Sequence, residues 1–187
     1  ANPRGNLETL AWEMTGNTND QCPWIYLSDG GHFENLALYE MVLRRCRYIV
    51  VSDGGCDPKF SFDDLGNAIR KIRTDLGVPI DIYQKLHMFP RAEPGTPLIE
   101  GSYVTIAKIR YSVIDGNAAE KDGTLIYLKP SVYNEATLPR DVYNYCQQSP
   151  TFPHESTADQ FFSESQFESY RALGRHVLNV ISGGAVG

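Results

Sequence analysis

The stretch Trp24 to Pro58, W-I-Y-L-S-D-G-G-H-F-E-N-L-A-L-Y-E-M-V-L-R-R-C-R-Y-I-V-V-S-D-G-G-C-D-P, decides how this chain is read. It predicts a strand, a tight acidic turn, an amphipathic helix, a second strand and a second acidic turn. Each turn opens with Ser-Asp-Gly-Gly, at Ser28 to Gly31 and again at Ser52 to Gly55. Open α/β sheets place ligands at the carboxyl ends of their strands. Glycines there let the backbone take angles closed to other residues, so the preceding Asp can project into a cleft. Asp29 is therefore the first candidate for chemistry, and Asp53 has the same reading.

Working outward, Trp24 to Leu27 is a short apolar run that suits a buried strand. Phe33, Leu36, Val42 or Leu43, and Cys46 mark one side of the following helix. Arg44 and Arg45 fall where they complement the negative end of its dipole. Tyr48 to Val51 is apolar throughout, as a central parallel strand is. Strand, helix and strand in this order form a right-handed crossover, with both acidic turns on one edge of the sheet. Ser61 to Asp64 reads as a capping box. Leu65, Ala68, Ile69, Ile72 and Leu76 then recur at helical spacing, and Gly77 and Pro79 stop the helix. Ile80 to Tyr83 is a third strand candidate, which gives the doubly wound pattern.

The second half reads differently. The residues from Gln84 to Gly101 contain three prolines and no clear period, so they read as loop. Ser102 to Ile114 and Thr124 to Lys129 read as the arms of a β-hairpin, with a turn-rich segment between them. Ser131 to Gln148 is expected to hold a short helix. The tail carries two cap signatures, Thr157-x-x-Gln160 and Ser163-x-x-Gln166. Phe167, Tyr170, Leu173, Val177, and Val180 or Ile181 then mark one face of a C-terminal helix. Upstream, Leu7 to Met14 is a short helix candidate.

Composition bounds the functional classes. The chain has 187 residues, 42% of them hydrophobic, which suits a folded domain or part of a larger one. Its formal net charge of −6 disfavours nucleic acid as a main partner, because binding a polyanion draws on clustered Lys and Arg. The four cysteines contain no C-x-x-C pair, which weakens zinc-ribbon and redox readings. No apolar run is long enough to span a bilayer.

Several chemistries compete for the acidic turns. Asp29 can serve as a general base, orient a histidine or bind a metal, and it can equally cap the turn that follows. His32, three residues on, can act as a base or cover the next helix. Asp29, His32 and Glu34 match no closed zinc set, and a magnesium site needs more oxygen ligands than this cluster offers. A metal-dependent hydrolase using Asp29, Asp53 and Asp57 is a weaker variant of that idea. His87, His154 and His176 are scattered and read as surface or packed residues. The nucleophile turn G-x-S-x-G is absent, and Ser182-Gly183-Gly184 reads as a helix stop. No glycine-rich phosphate cradle precedes a helix.

The run Asp29-Gly30-Gly31-His32-Phe33-Glu34-Asn35-Leu36-Ala37-Leu38-Tyr39-Glu40 resembles the second catalytic motif of patatin-like phospholipases. It is most similar to a bacterial subgroup with D-G-G-H-F-E-N-L-G-L-Y-E. The tail Phe152-Pro153-His154-Glu155-Ser156-Thr157-Ala158-Asp159-Gln160 resembles that subgroup too, as does Glu164-Ser165-Gln166-Phe167-Glu168-Ser169-Tyr170-Arg171. The similarity runs from about Asn2 to about Gly174.

The resemblance implies a three-layer α/β/α fold with a mainly parallel sheet, here accompanied by a β-hairpin and a C-terminal helix. It also implies a Ser-Asp dyad in which Asp29 takes the proton of a serine that attacks an ester carbonyl. Gly30 and Gly31 would shape the turn, Asn35 would hold the following helix, and His32 would stand beside the site. No metal or other cofactor is implied. The serine and the oxyanion loop of such a dyad come from an upstream half. Residues 1–187 are accordingly expected to be the C-terminal part of one catalytic domain, inactive alone. Expected partners are a lipid or ester substrate, the N-terminal half of the same domain and a second copy of the chain, but not nucleic acid. The expected location is the cytoplasm or the cytoplasmic face of a membrane-associated parent. The rival reading is a non-catalytic binding or scaffold domain that keeps the fold.

Overall fold

The computed structural model describes residues 6–19, 21–22, 29–82, 86–92, 100–116 and 121–183. The chain divides into two compact units, Ala1–Asn35 and Leu36–Gly187. Among the described residues there are six α-helices and one four-stranded mixed sheet. No described helix is long and apolar enough to cross a membrane.

In the first unit, α1 spans Asn6–Met14, close to the predicted helix. The candidate strand Trp24 to Leu27 lies outside the described residues. Gly30–His32 forms a single 3-10 turn.

The second unit contains the sheet. The helix predicted directly after Gly31 is shorter and starts later: α2 spans Leu38–Leu43, with Leu38 and Val42 buried. Ala37 stops it from extending backwards, because its φ of 55° is left-handed and breaks the helical path. β1 (Tyr48–Ser52) leads through α3 (Asp63–Leu76) to β2 (Ile80–Ile82). β3 (Val104–Ile109), the short α4 (Ser112–Asp115) and β4 (Gly123–Leu128) complete the sheet.

The strand order is β1-β4-β3-β2. β1 pairs parallel with β4, whereas β4 with β3 and β3 with β2 pair antiparallel. The expected hairpin is therefore present, but it sits between β1 and β2 rather than beside them. These pairings make β1, β4 and β2 run in one direction, so α3 connects two parallel strands with the hairpin between them. The expectation of a mainly parallel sheet does not hold for neighbouring pairs. The inserted hairpin replaces parallel neighbours with antiparallel ones.

One face of the sheet carries the main core. Leu38, Val42, Leu65, Ala68 and Ile72 from α2 and α3 pack over Ile49, Val51, Ala107, Ile109, Leu125 and Tyr127. The other face is bare among the described residues: Tyr48 is 79% exposed, Val50 63% and Ile106 56%. β1 was expected to be buried throughout. It instead alternates, because helices cover one of its faces and the other is exposed among the described residues.

A second core joins Tyr103, Val132, Tyr133 and Phe152 to α5 (Arg140–Gln148) and α6 (Glu164–Ile181). α6 begins as the cap signature predicts, with Ser163 accepting from the Gln166 amide at 3.1 Å. Its buried face is Gln166, Ser169, Leu173 and Val177, whereas Phe167 points outward. Thr157-x-x-Gln160 starts no helix. There the Gln160 side chain donates to the Thr157 carbonyl at 2.6 Å.

Candidate functional site

Both Asp-Gly-Gly segments form the same side-chain bond, with the Asp accepting from the amide two residues on. At the first, Asp29 sits in extended backbone (φ −71°, ψ 169°) as the cap of the 3-10 turn. Its Oδ1 accepts from the Gly31 amide at 3.1 Å. At the second, Asp53 Oδ1 accepts from the Gly55 amide at 2.9 Å. In both, the second glycine leaves room for polar oxygens. A methyl group at Gly31 would lie 3.1 Å from Asn35 Oδ1 and 3.2 Å from Asp29 Oδ1. At Gly55 it would lie 3.1 Å from Asp53 Oδ1 and 3.2 Å from Asp64 Oδ2. Gly30 has open space where a side chain would go.

The turns differ in what surrounds the carboxylate. Asp29, His32 and Asn35 are exposed, and Glu34 is buried. Among the described residues, no hydrogen bond reaches Asp29 Oδ2. The cap therefore uses one oxygen and leaves the other without a described partner. Asp53 is 2% exposed and fully engaged. Its Oδ2 accepts from the Tyr127 hydroxyl and from Lys129 Nζ, the latter at 2.9 Å. Both oxygens of Asp53 are thus taken up by a lysine, a phenol and an amide, whereas Asp29 has one oxygen without a described partner.

The second turn is the hub of a buried polar cluster that the sequence did not single out. Lys129 is 1% exposed and also lies 3.6 Å from Asp57 Oδ2. β1 and β4 are parallel neighbours, so their carboxyl ends bring Asp53 and Lys129 together. The capping expected of Ser61 is absent, since α3 starts without a side-chain cap, and Asp57 instead ties the loop that leads into it. Asp57 accepts from the Ser61 amide at 2.8 Å and the Phe62 amide at 3.0 Å. α3 then starts at Asp63 after Phe62, whose φ of 57° is left-handed. Burial acts to raise the Asp57 pKa. The Phe62 and Ser61 hydrogen bonds and the Lys129 charge together outweigh it, so the carboxyl lies below its ordinary value. Tyr127 is pushed upward by burial, then by its bond to Asp53 and the nearby carboxylates.

His154 closes the cluster from the tail. It is 5% exposed, and its ring stacks edge-on against Phe60 with centroids 4.9 Å apart. Nδ1 lies 3.3 Å from the Gly55 carbonyl and 3.4 Å from the Asp57 amide. Nε2 is buried without a hydrogen-bond partner among the described residues. Cys56 Sγ donates to the His154 carbonyl at 3.1 Å. The signal available in the sequence was the Phe152-Pro153-His154-Glu155 run within the family-like tail. Lys129 had a weaker signal, a lone cation ending an apolar strand.

Among the described residues, no group of three or more His, Cys, Asp or Glu could hold a metal ion. A cleft of about 290 Å³ lies between α5 and α6, lined by Asp141, Tyr145, Glu164 and Glu168 among others. It contains none of the predicted site residues. Comparison with family models, curated proteins and solved structures finds no match to this chain.

Proposed function

We propose that this chain is the Asp-bearing C-terminal part of a patatin-like lipid acyl hydrolase, with Asp29 as the base of a Ser-Asp dyad. The observation that carries the reading is the exposed Asp29 carboxylate, held through Oδ1 by the Gly31 amide with Oδ2 open. In the reaction, Asp29 takes the proton of a serine supplied by another part of the protein while that serine attacks the ester carbonyl. The proton passes to the departing alcohol. Asp29 then takes a proton from the water that cleaves the acyl-enzyme and returns it to the departing serine oxygen.

Two further features support this reading. Ala37 stands where the similar bacterial motif has glycine, and its φ of 55° suits glycine far better than alanine. The bare face of Tyr48, Val50 and Ile106, beside an edge strand, is what a domain with a further helical layer leaves on one of its parts. The three-layer α/β/α architecture and the pairing with an upstream half belong to this proposal. So does self-association of the isolated chain through the same face.

The test is ester hydrolysis by the complete polypeptide that contains this chain, assayed on a short-chain chromogenic ester and on phospholipid vesicles. Activity abolished by Asp29→Asn is the expected result. An Asn variant with undiminished turnover removes Asp29 from the mechanism. A parent that turns over neither substrate favours the binding-domain reading.

A further inference from the structure

The loop between β1 and α3 combines strain with an incompletely satisfied clasp. Phe60 and Phe62 have φ of 53° and 57°, left-handed angles that bulky side chains rarely adopt. Such angles persist only where the surroundings impose them. Packing of both rings into the main core is one such restraint, and polar ties supply the rest. Asp53 anchors the start of the loop to Lys129, and Asp57 ties the Ser61 and Phe62 amides. His154 covers Phe60 and bridges toward the Gly55 carbonyl and the Asp57 amide.

The other side of His154 is rigid. Phe152, 1% exposed, packs edge-on between Tyr145 and Tyr170. Glu155 accepts from the Tyr145 hydroxyl and from Gln166, and its amide donates to Tyr170. The segment from Phe152 to Glu155 is thus fixed to the α5–α6 core, and the strained loop meets it at the His154 imidazole and at the Cys56 thiol, which donates to the His154 carbonyl.

We propose that His154 is an acid-sensitive latch: neutral, it pins the Asp53–Phe62 loop at the carboxyl ends of β1 and β4, and protonated, it lets that loop go. The geometry gives the reason. A neutral imidazole needs only one donor and one acceptor satisfied. An imidazolium carries two N–H donors, and Nε2 has no described acceptor. The charged groups facing it are Lys129, which repels the added charge, and Asp57, which attracts it. Asp57 is already committed to Ser61, Phe62 and Lys129. Asp53 is committed to Tyr127, Lys129 and Gly55. The remaining neighbours are uncharged: the Phe60 ring, the Cys56 thiol and the Gly55 and Pro130 carbonyls, and although the two carbonyls favour the protonated ring, burial and Lys129 outweigh them. Burial is the largest effect on His154, and its pKa lies below the ordinary 6.5. An open loop returns the imidazole to water and to that ordinary value. Closure is therefore strongest above pH 6.5 and weakens as pH falls below it.

The test is NMR of the full 187-residue chain, following the His154 ring and the exchange protection of the Gly55 and Phe62 amides across pH 7 to 4. The proposal expects His154 to titrate below 6.5, with protection of both amides falling over the same range. The fall should be up to about tenfold per pH unit once intrinsic exchange is corrected. In His154→Gln the protection of the two amides should be flat over that range. The latch is overturned by protection that stays constant through the His154 titration, or by an equal fall in His154→Gln. It is also overturned by a fall confined to about pH 4, which belongs to carboxylates. The wild-type titration decides the matter even if the variant fails to fold.

Discussion

Ala37→Gly is predicted to stabilise this protein. Ala37 precedes α2 with φ 55° and ψ 16° and makes no side-chain cap bond. It is exposed, so removing its methyl group forfeits little packing. An L-residue in the left-handed region costs about 1–2 kcal/mol, because Cβ crowds the following carbonyl. Glycine avoids that cost but gives back about 0.4–1 kcal/mol through the greater freedom of the unfolded chain. The difference is a net gain of about 0.5–1 kcal/mol. For a chain of this size that corresponds to a rise in Tm of about 2–3 °C. Urea and thermal melts followed by circular dichroism would measure it, with Gly77→Ala as the opposing control. Gly77 also has a left-handed φ, 67°, and a methyl group there would meet Ile114 Cδ1 at 2.9 Å. That variant should lose stability. An Ala37→Gly protein equal to or weaker than wild type would refute the conformational argument and its support for the family reading.

The remaining predictions concern the buried cluster and the dyad. Lys129→Ala leaves the Asp53 carboxylate buried and unpaired, and should cost about 3–5 kcal/mol in denaturant unfolding. The Asp53→Asn/Lys129→Met double variant should cost clearly less than the two single changes added together, and additive losses would show that the pair is not coupled. The Asp57 carboxyl lies below its ordinary value in the folded protein, so its stabilisation is present above the unfolded value of 3.8 and lost as pH falls through the folded one. Asp57→Asn should therefore be less stable than wild type at neutral pH and flatten the acid limb of the stability profile. An unchanged acid limb would assign that limb to other carboxylates. Loss of ester hydrolysis in Asp29→Asn and the coupled titration of His154 and its loop complete the set.

Much of the local structure was legible because it rests on short-range chemistry. Gly77 ended α3 as its sequence position indicates, and Ser163 capped α6. The hairpin of β3 and β4 followed from two apolar runs around a turn-rich segment. Some local signals did not hold. Ser61 was expected to cap α3, but its hydroxyl lies 3.1 Å from Asp57 Oδ1 and 3.0 Å from Asp63 Oδ2, and the helix starts without a side-chain cap. α2 should have begun after Gly31, but the left-handed Ala37 set its start at Leu38.

The sequence by itself determined the α/β class, the positions of most described elements and the doubled Ser-Asp-Gly-Gly turn, because periodicity, caps and glycine angles act over a few residues. The shared four residues gave both aspartates one turn reading, and only the family resemblance favoured Asp29. Their different surroundings were set by the tertiary structure. Parallel pairing of β1 with β4 brings Lys129 and Tyr127 onto Asp53, and the tail returns His154 to the same place. Partners that stand 74 to 99 residues apart leave no periodic trace in the chain. Their meeting is set by strand order and by the packing of two cores, which is why the buried lysine and histidine emerged only once the chain was folded.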